Sequence, residues 1–231
     1  MTNPVLTYTL EGTTAVVRMD DGKANALSDA MIDALLDSLA RADKEATAIV
    51  LTGRPDRFCA GFDLKIMMSG PDNAKALLRR GADLLMKLYG VPIPLVIAST
   101  GHALAGGALV LLTGDVRIGA SGAFRIGLNE VSIGLPVPVL AMELARDRIL
   151  GAELGRATLQ AQIYSPEEAA RVGYLDTVVT DDVLPHAMAE AARLGALSRP
   201  AFSATKARLR GKTIAHIRAT LEDDLAQLLA G

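Results

Sequence analysis

Two stretches decide the reading of this chain: Phe58-Cys59-Ala60-Gly61-Phe62-Asp63-Leu64-Lys65 and Gly101-His102-Ala103-Leu104-Ala105-Gly106-Gly107-Ala108-Leu109. Each lies beyond a short apolar run of the kind that forms a strand covered on both faces, Ala48 to Gly53 and Leu95 to Ala98. Each also leads into helical sequence. Glycine lets backbone N–H groups approach a ligand closely, and a helix N-terminus adds positive potential. Two such turns can aim two N–H groups at one oxygen. Taken singly, each is an ordinary tight connection, because short glycine loops commonly join strands to helices. The pair carries the information.

Working outward, Val5 to Leu10 and Thr14 to Met19 flank Glu11-Gly12 as a hairpin. Ser28 is a good N-cap, and Met31, Ile32, Leu35, Leu36 and Leu39 form the apolar stripe of a helix running to about Ala42. Arg54 to Arg57 reads as a polar loop. A second helix is expected over Asn73 to Tyr89, stopped by Gly90, Pro92 and Pro94, and Gly106-Gly107 opens an apolar helix. Asp115 to Gly119 and Ala123 to Ile126 read as strands, with helices over Val139 to Leu150 and Glu153 to Ala161. Ser165-Pro166-Glu167-Glu168 has the form of a capping box with proline at the first helical position, and Gly173 ends that helix. Tyr174 to Val179 reads as a strand, and the chain is helical from Asp182 apart from a break over Gly195 to Pro200. Alternating strands and helices give an α/β class. No fixed-period repeat of the solenoid kind is visible.

Composition narrows the function. The 231 residues fit one domain or one domain with an appendage, about half are hydrophobic, and the net charge is −2. No block of like charge stands out, which argues against an electrostatic nucleic-acid partner. Tryptophan is absent and phenylalanine and tyrosine number four each, leaving few rings for base stacking or a membrane belt. The longest apolar stretch, Ala103 to Leu112, is far short of the ~20 residues of a spanning helix. Cys59 is the sole cysteine, and with three histidines a Cys/His metal site lacks ligands; no metal is expected. Met1-Thr2-Asn3-Pro4 has no leader pattern and Leu229-Ala230-Gly231 is not a peroxisomal address, so cytoplasm is the expected compartment. A mean hydropathy of +0.29 points to apolar surface hidden between subunits of a homo-oligomer.

The sequence resembles the crotonase, or enoyl-CoA hydratase/isomerase, superfamily. The match runs in order over roughly residues 5 to 180: Met19-Asp20, Asn25-Ala26-Leu27, Leu51-Thr52-Gly53, Phe58 to Lys65, Pro94 to Gly119, Ile126 to Pro136 and Ser165 to Val179. The combination is specific, whereas any single piece is weak. The resemblance implies a crotonase-type spiral of ββα units over residues 1–195, with a C-terminal helical segment over 196–231 that closes the pocket or joins subunits. It further implies a homotrimer or dimer of trimers and an acyl-CoA thioester as substrate, with coenzyme A as part of the substrate and no separate cofactor.

Carried over residue by residue, the resemblance puts two oxyanion donors at the backbone N–H groups of Phe62 and Gly106. Phe62 departs from the commoner alanine, and its ring is equally a core residue or a substrate contact. Hydratases of the superfamily carry two glutamates; the first position is Leu109 here and the second is Glu130. Adding water across a double bond needs one group to deliver a proton and another to activate the water, and leucine does neither. Moving a double bond from C3 to C2 needs only one carboxylate. The local pattern is closest to the Δ3,Δ2-enoyl-CoA isomerases, with Glu130 as catalytic acid/base and Ala60, Gly61, Asp63, Leu64, Lys65, Gly107, Leu109 and Arg57 at the substrate. The alternatives are an enoyl-CoA hydratase and a catalytically silent acyl-CoA binding protein.

Lys65, Arg54 and Arg57 fall where the superfamily contacts the nucleotide end of coenzyme A, and each is equally a solvated charge. His102 invites a catalytic reading without any nucleophile arrangement to support it. Cys59 reads as a small buried apolar residue, and Asp115 and Arg117 as structural. Typical members continue past a helix like Ala219 to Leu229, whereas this sequence stops at Gly231, leaving the acyl pocket either more open or completed by a neighbour.

Overall fold

The computed structural model describes residues 4–228, so the readings of Met1-Thr2-Asn3 and Leu229-Ala230-Gly231 fall outside it. An antiparallel hairpin, β1 (Leu6–Glu11) and β2 (Thr14–Met19), opens the chain and pairs Leu6 with Met19. Helix α1 (Asp29–Glu45) follows, its first turn capped by the Ser28 side chain accepting from the Met31 N–H. Three windings come next, each placing two strands before helical sequence: β3 (Ala48–Thr52), β4 (Asp56–Cys59), α2 (Leu64–Met67) and α3 (Pro71–Gly90); β5 (Leu95–Ser99), β6 (Gly101–Leu104) and α4 (Gly106–Thr113); β7 (Val116–Ala120), β8 (Ile126–Gly127), a 3-10 turn (Val131–Ile133) and α5 (Val139–Arg148). The chain continues as α6 (Leu154–Ala157), α7 (Pro166–Val172), β9 (Thr177–Val179), α8 (Val183–Gly195) and α9 (Arg199–Leu228).

The first strand of each winding joins a six-stranded sheet, β1-β2-β3-β5-β7-β9, and the second joins a three-stranded parallel sheet, β4-β6-β8. This is the expected spiral of ββα units. Its repeat lives in the geometry; the unequal connections between windings hide it from a search for a fixed sequence period. The central strands of the larger sheet, β3 and β5, are buried on both faces, while the edge strand β1 is largely exposed. Ile49, Leu51, Leu95 and Ile97 face the main core with α1, α3 and α4, and their neighbours Val50, Val96 and Ala98 face Val183, Ala187 and Ala191 of α8. Side chains alternate across a strand, so one apolar run supplies both layers.

The structure corrects several boundaries. The expected polar loop ends in β4, and the second glycine stretch contains β6 before its turn. These strands are four residues long and β4 begins with exposed Asp56 and Arg57, so neither shows enough alternation to be read as a strand. The strand expected over 123–126 shrinks to β8, that over 174–179 to β9, and the helix over 153–161 to α6. The break before the last helix is narrower than expected, because Pro200 sits in the first turn of α9, where its missing N–H costs nothing. The capping box at Ser165 forms as read, and Gly173 ends α7 at φ +105°.

Buried charges pin α9 to the core. Lys206 and Arg210 both pair with Asp115, at 2.6 and 2.8 Å. Arg210 also donates to the carbonyls of Tyr89 and Thr113, the C-terminal ends of α3 and α4. Asp115 in turn accepts from the Leu95 N–H, and Arg117 pairs with Asp176 at 2.5 Å. Both residues serve structure, as read. Among the described residues no helix is long and apolar enough to cross a membrane, and no group of three potential metal ligands occurs.

Candidate active site

The first glycine stretch is held by Asn25-Ala26-Leu27. The Asn25 side chain is fully buried and donates to the carbonyls of Met19, Arg57 and Phe58, while its own oxygen accepts from Asp21 N–H. The Leu27 N–H donates to the Gly61 carbonyl at 2.8 Å, and the Asp63 N–H donates to the Leu27 carbonyl. Along an extended segment successive backbone groups point to opposite sides. With Gly61 and Asp63 turned toward Leu27, the Phe62 N–H is turned away from it. Gly61 has φ +95°, which glycine adopts at little cost.

The second donor lies at the start of α4. Gly106 is its first residue, so its N–H has no acceptor within the helix and sits at the positive end of the helix dipole. Ala105 before it is held at φ +48° and ψ −123°, an unusual backbone for alanine, and its N–H donates to the Gly127 carbonyl. Strain of this kind persists where the surroundings fix it. The two turns touch: a Cβ built on Gly61 would stand 3.1 Å from the Gly106 nitrogen, and one built on Gly106 would stand 3.1 Å from the Phe62 ring.

Glu130 follows β8 by a short loop, three residues after the glycine that holds Ala105. Its backbone carbonyl accepts from Ile133 and Leu135, which fixes the loop. The residue is 8% exposed, and among the described residues nothing donates to its buried Oε2. Burial therefore pushes its carboxyl above the usual carboxylate range. Leu109, one turn into α4, is buried and lines an apolar cavity of about 40 Å³ together with Phe62, Leu78, Leu85, Leu221 and Leu225. Asp224 of α9 stands at the same cavity while accepting from the Val139 N–H at 2.8 Å, which caps α5.

A chain with two donor-bearing turns, an apolar cavity at one of them and a buried carboxylate with an unpartnered Oε2 matches a known pattern along almost its whole length. The sequence model of the enoyl-CoA hydratase/isomerase family matches residues 9–228. The chain belongs to this family. It is 31% identical over 222 residues to human mitochondrial enoyl-CoA delta isomerase 1, covering 94% of this chain and 74% of that protein. It is 35% identical over 210 residues to a probable enoyl-CoA hydratase of Rhodobacter capsulatus, covering 89% and 81%. The crystal structure of an enoyl-CoA hydratase/isomerase family protein from Pseudomonas syringae superposes with a TM-score of 0.95 at 34% identity, covering 99% of this chain and all of that one. The chain is thus an enzyme-family member with a crotonase fold, and its relatives include both isomerases and hydratases.

Within this enoyl-CoA hydratase/isomerase member, the remaining sequence candidates fall into place by geometry. Phe62, Gly61, Gly106, Gly107 and Leu109 converge. Asp63 caps α2, accepting from the Lys65 N–H at 2.8 Å, while Ala60, Leu64, Lys65 and Arg57 are exposed around that turn. Arg54 is held by the Lys23 carbonyl and by Asp20. His102 accepts from the Arg125 N–H at 3.0 Å and packs edge-on against Phe124; burial and neighbouring Arg57 and Arg125 lower its pKa. It is a structural residue. Cys59 is fully buried and its thiol is pushed up to about 12 by burial, which removes it as a nucleophile. A larger open groove of about 700 Å³ along β9 and α8 contains none of these residues.

Gly81 and Asp224 escaped the sequence reading, and the individual role of Asn25 was not read. Asn25 was legible only as part of a motif. Gly81 is explained only by the ring above it, since a Cβ there would stand 2.1 Å from Phe62 Cε1; a glycine in mid-helix was the available signal. Asp224 on an exposed-looking acidic helix gave none.

Proposed function

We propose that the protein moves the C3–C4 double bond of a 3-enoyl-CoA to C2–C3. The thioester carbonyl accepts from the Phe62 and Gly106 N–H groups. The Glu130 carboxylate takes a proton from C2, the negative charge passes to the thioester oxygen, and the enolate collapses as the same proton, or one exchanged with solvent, returns to C4. Two positioned donors of ~3 kcal/mol each supply much of the enolate stabilisation. A raised carboxyl pKa makes Glu130 a stronger base toward a carbon acid. Arg54, Arg57 and Lys65 attract the phosphates of coenzyme A, and the active form is a homotrimer or dimer of trimers, a reading supported by exposed Met68, Leu159 and Leu209. An unpaired Cys59 fits the cytoplasm.

The observation that carries this reading is the pairing of buried leucine at 109 with buried glutamate at 130, one acid/base where hydration needs two. Purified protein given 3-hexenoyl-CoA forms trans-2-hexenoyl-CoA, and given crotonyl-CoA adds little water. Rapid hydration of crotonyl-CoA replaces the isomerase reading with the hydratase one. Binding without either turnover replaces both with an acyl-CoA binding role.

A further inference from the structure

The cavity beside the Phe62 turn is small, and the Phe62 ring takes up part of its lining. At about 40 Å³ it is lined by Phe62 and Leu109 and by Leu221, Asp224 and Leu225 of α9. A water-sized group needs roughly 10–15 Å³ measured this way, so the space takes about three such groups. The Phe62 ring lies on Gly81, and any larger residue at 81 would collide with it. Ring and glycine form a matched pair, since a mid-helix glycine weakens α3 and is retained where the ring needs the room. The α9 wall is fixed as well. Arg79 grips Glu222, next to Leu221, with two hydrogen bonds of 2.6 Å, and Asp224, itself at the cavity, holds the α5 N-terminus at 2.8 Å.

We propose that the Phe62 ring, seated on Gly81 and closed in by α9, is a stop that restricts this enzyme to short acyl thioesters, with chains of about four to six carbons. This rests on the acyl-CoA reading of the site. Phe62 thereby does two separate things: its backbone N–H serves the thioester oxygen and its side chain sets the reach of the tail. Each methylene buried in an apolar pocket tightens binding about fourfold. The affinity of the wild type therefore rises from acetyl to hexanoyl and stops rising beyond it.

The test is calorimetric titration with saturated acetyl-, butanoyl-, hexanoyl-, octanoyl- and decanoyl-CoA, which reads the pocket without any chemistry. In Phe62→Ala the rise continues, and decanoyl-CoA binds at least tenfold tighter than hexanoyl-CoA. Leu221→Ala, at a half-buried position in the same lining, extends the series in the same direction and serves if Phe62→Ala folds poorly. A wild-type series that keeps climbing through decanoyl, or variants whose series is unchanged, overturns the stop. A working series with no turnover of 3-hexenoyl-CoA sinks the isomerase reading and leaves the stop standing. No binding of any acyl-CoA sinks both.

Discussion

The backbone of α4 rests directly on the end of β4: a Cβ built on Gly107 would stand 2.0 Å from the carbonyl oxygen of Cys59 and 2.6 Å from its carbonyl carbon. No side chain intervenes, so the two donor-bearing turns are held at a distance set by main chain alone. This contact fixes where the Gly106 N–H stands relative to Phe62, and it separates two adjacent glycines by role. Gly107 is a packing requirement; Gly106 is next to the site and meets only a ring and a Cα at 3.1–3.2 Å.

Gly107→Ala is expected to unfold the region, because backbone cannot give way as a flexible side chain can. Overpacking of this kind costs about 3 kcal/mol or more, which in a chain of this size lowers Tm by roughly 6–12 °C. Gly106→Ala is milder in stability and harsher in rate. A shift of the N–H near 1 Å costs ~10²-fold in turnover. Thermal melts and kcat measured on both variants check the split. Equal loss of Tm and activity in the two would mean that position 106 is only a joint.

Glu130→Gln keeps the shape of the side chain and removes its ability to take a proton, so turnover of 3-hexenoyl-CoA falls by at least ~10² to 10⁴ while acyl-CoA affinity holds. Stability moves the other way. The Glu130 carboxyl is raised in the folded protein, so the folded state holds its proton above the pH at which the unfolded chain has lost it. The associated stability is present at low pH and lost as pH rises through the folded value. Glu130→Gln is therefore at most neutral near pH 4 and more stable than wild type at pH 8. Urea unfolding at the two pH values reads the difference, and a variant less stable at pH 8 than at pH 4 relative to wild type would contradict the unpaired, buried carboxylate.

Much of this was legible because the signals were local. Ser28, Ser165 and Gly173 sit where caps demand them, and the buried runs at Ala48 and Leu95 could be strands of one kind only. The donor pair was legible because glycine has to appear where backbone meets backbone, at 61, 106 and 107. What escaped depends on residues distant in sequence. β4 and β6 exist only because they find each other and β8, and four residues carry no period of their own. Gly81 is meaningful only with Phe62 on top of it. Lys206 and Arg210 look like surface charges on a helix, yet both are buried against Asp115. A sequence shows which residues tolerate burial, and only the fold shows which distant partner makes it tolerable.

Leu109→Glu tests the argument from one carboxylate. The new side chain would enter a cavity walled by Phe62, Leu85 and Leu225, where an unpaired charge is costly and the carboxyl pKa rises. We expect a destabilised protein with reduced isomerase activity and a measurable gain in water addition to crotonyl-CoA, followed by solvent-oxygen incorporation. If wild type already hydrates crotonyl-CoA as fast as the variant, the absence of a second glutamate is not what selects the reaction.

Lys206→Met tests how α9 is anchored. The Lys206 ammonium is nearly fully buried, at 2.6 Å from Asp115 Oδ2 and 3.2 Å from the Ile93 carbonyl, with Arg210, Arg148 and the Phe202 ring around it. Burial, opposed in part by Asp115 and reinforced by the two arginines, lowers its pKa from 10.5 to about 8. Between those values the unfolded chain holds a proton that the folded protein has released, so this group makes stability rise with pH over that window, by at most about 1.4 kcal/mol per unit. Cys59 acts in the opposite direction, because its thiol is pushed up to about 12 and the folded state keeps a proton the unfolded chain loses. The two contributions overlap and oppose each other only above about pH 9, where the unfolded thiol begins to lose its proton, and variants separate them. Urea unfolding at pH 7, 8, 9 and 10 is expected to show Lys206→Met losing ground to wild type as pH rises, and Cys59→Ala gaining on it. Asp115 stays paired with Arg210 in Lys206→Met, so the variant folds and α9 remains docked. If the stability difference between Lys206→Met and wild type does not change with pH, the lysine is not buried as an ammonium beside Asp115, and α9 is held by Arg210 and its apolar face instead.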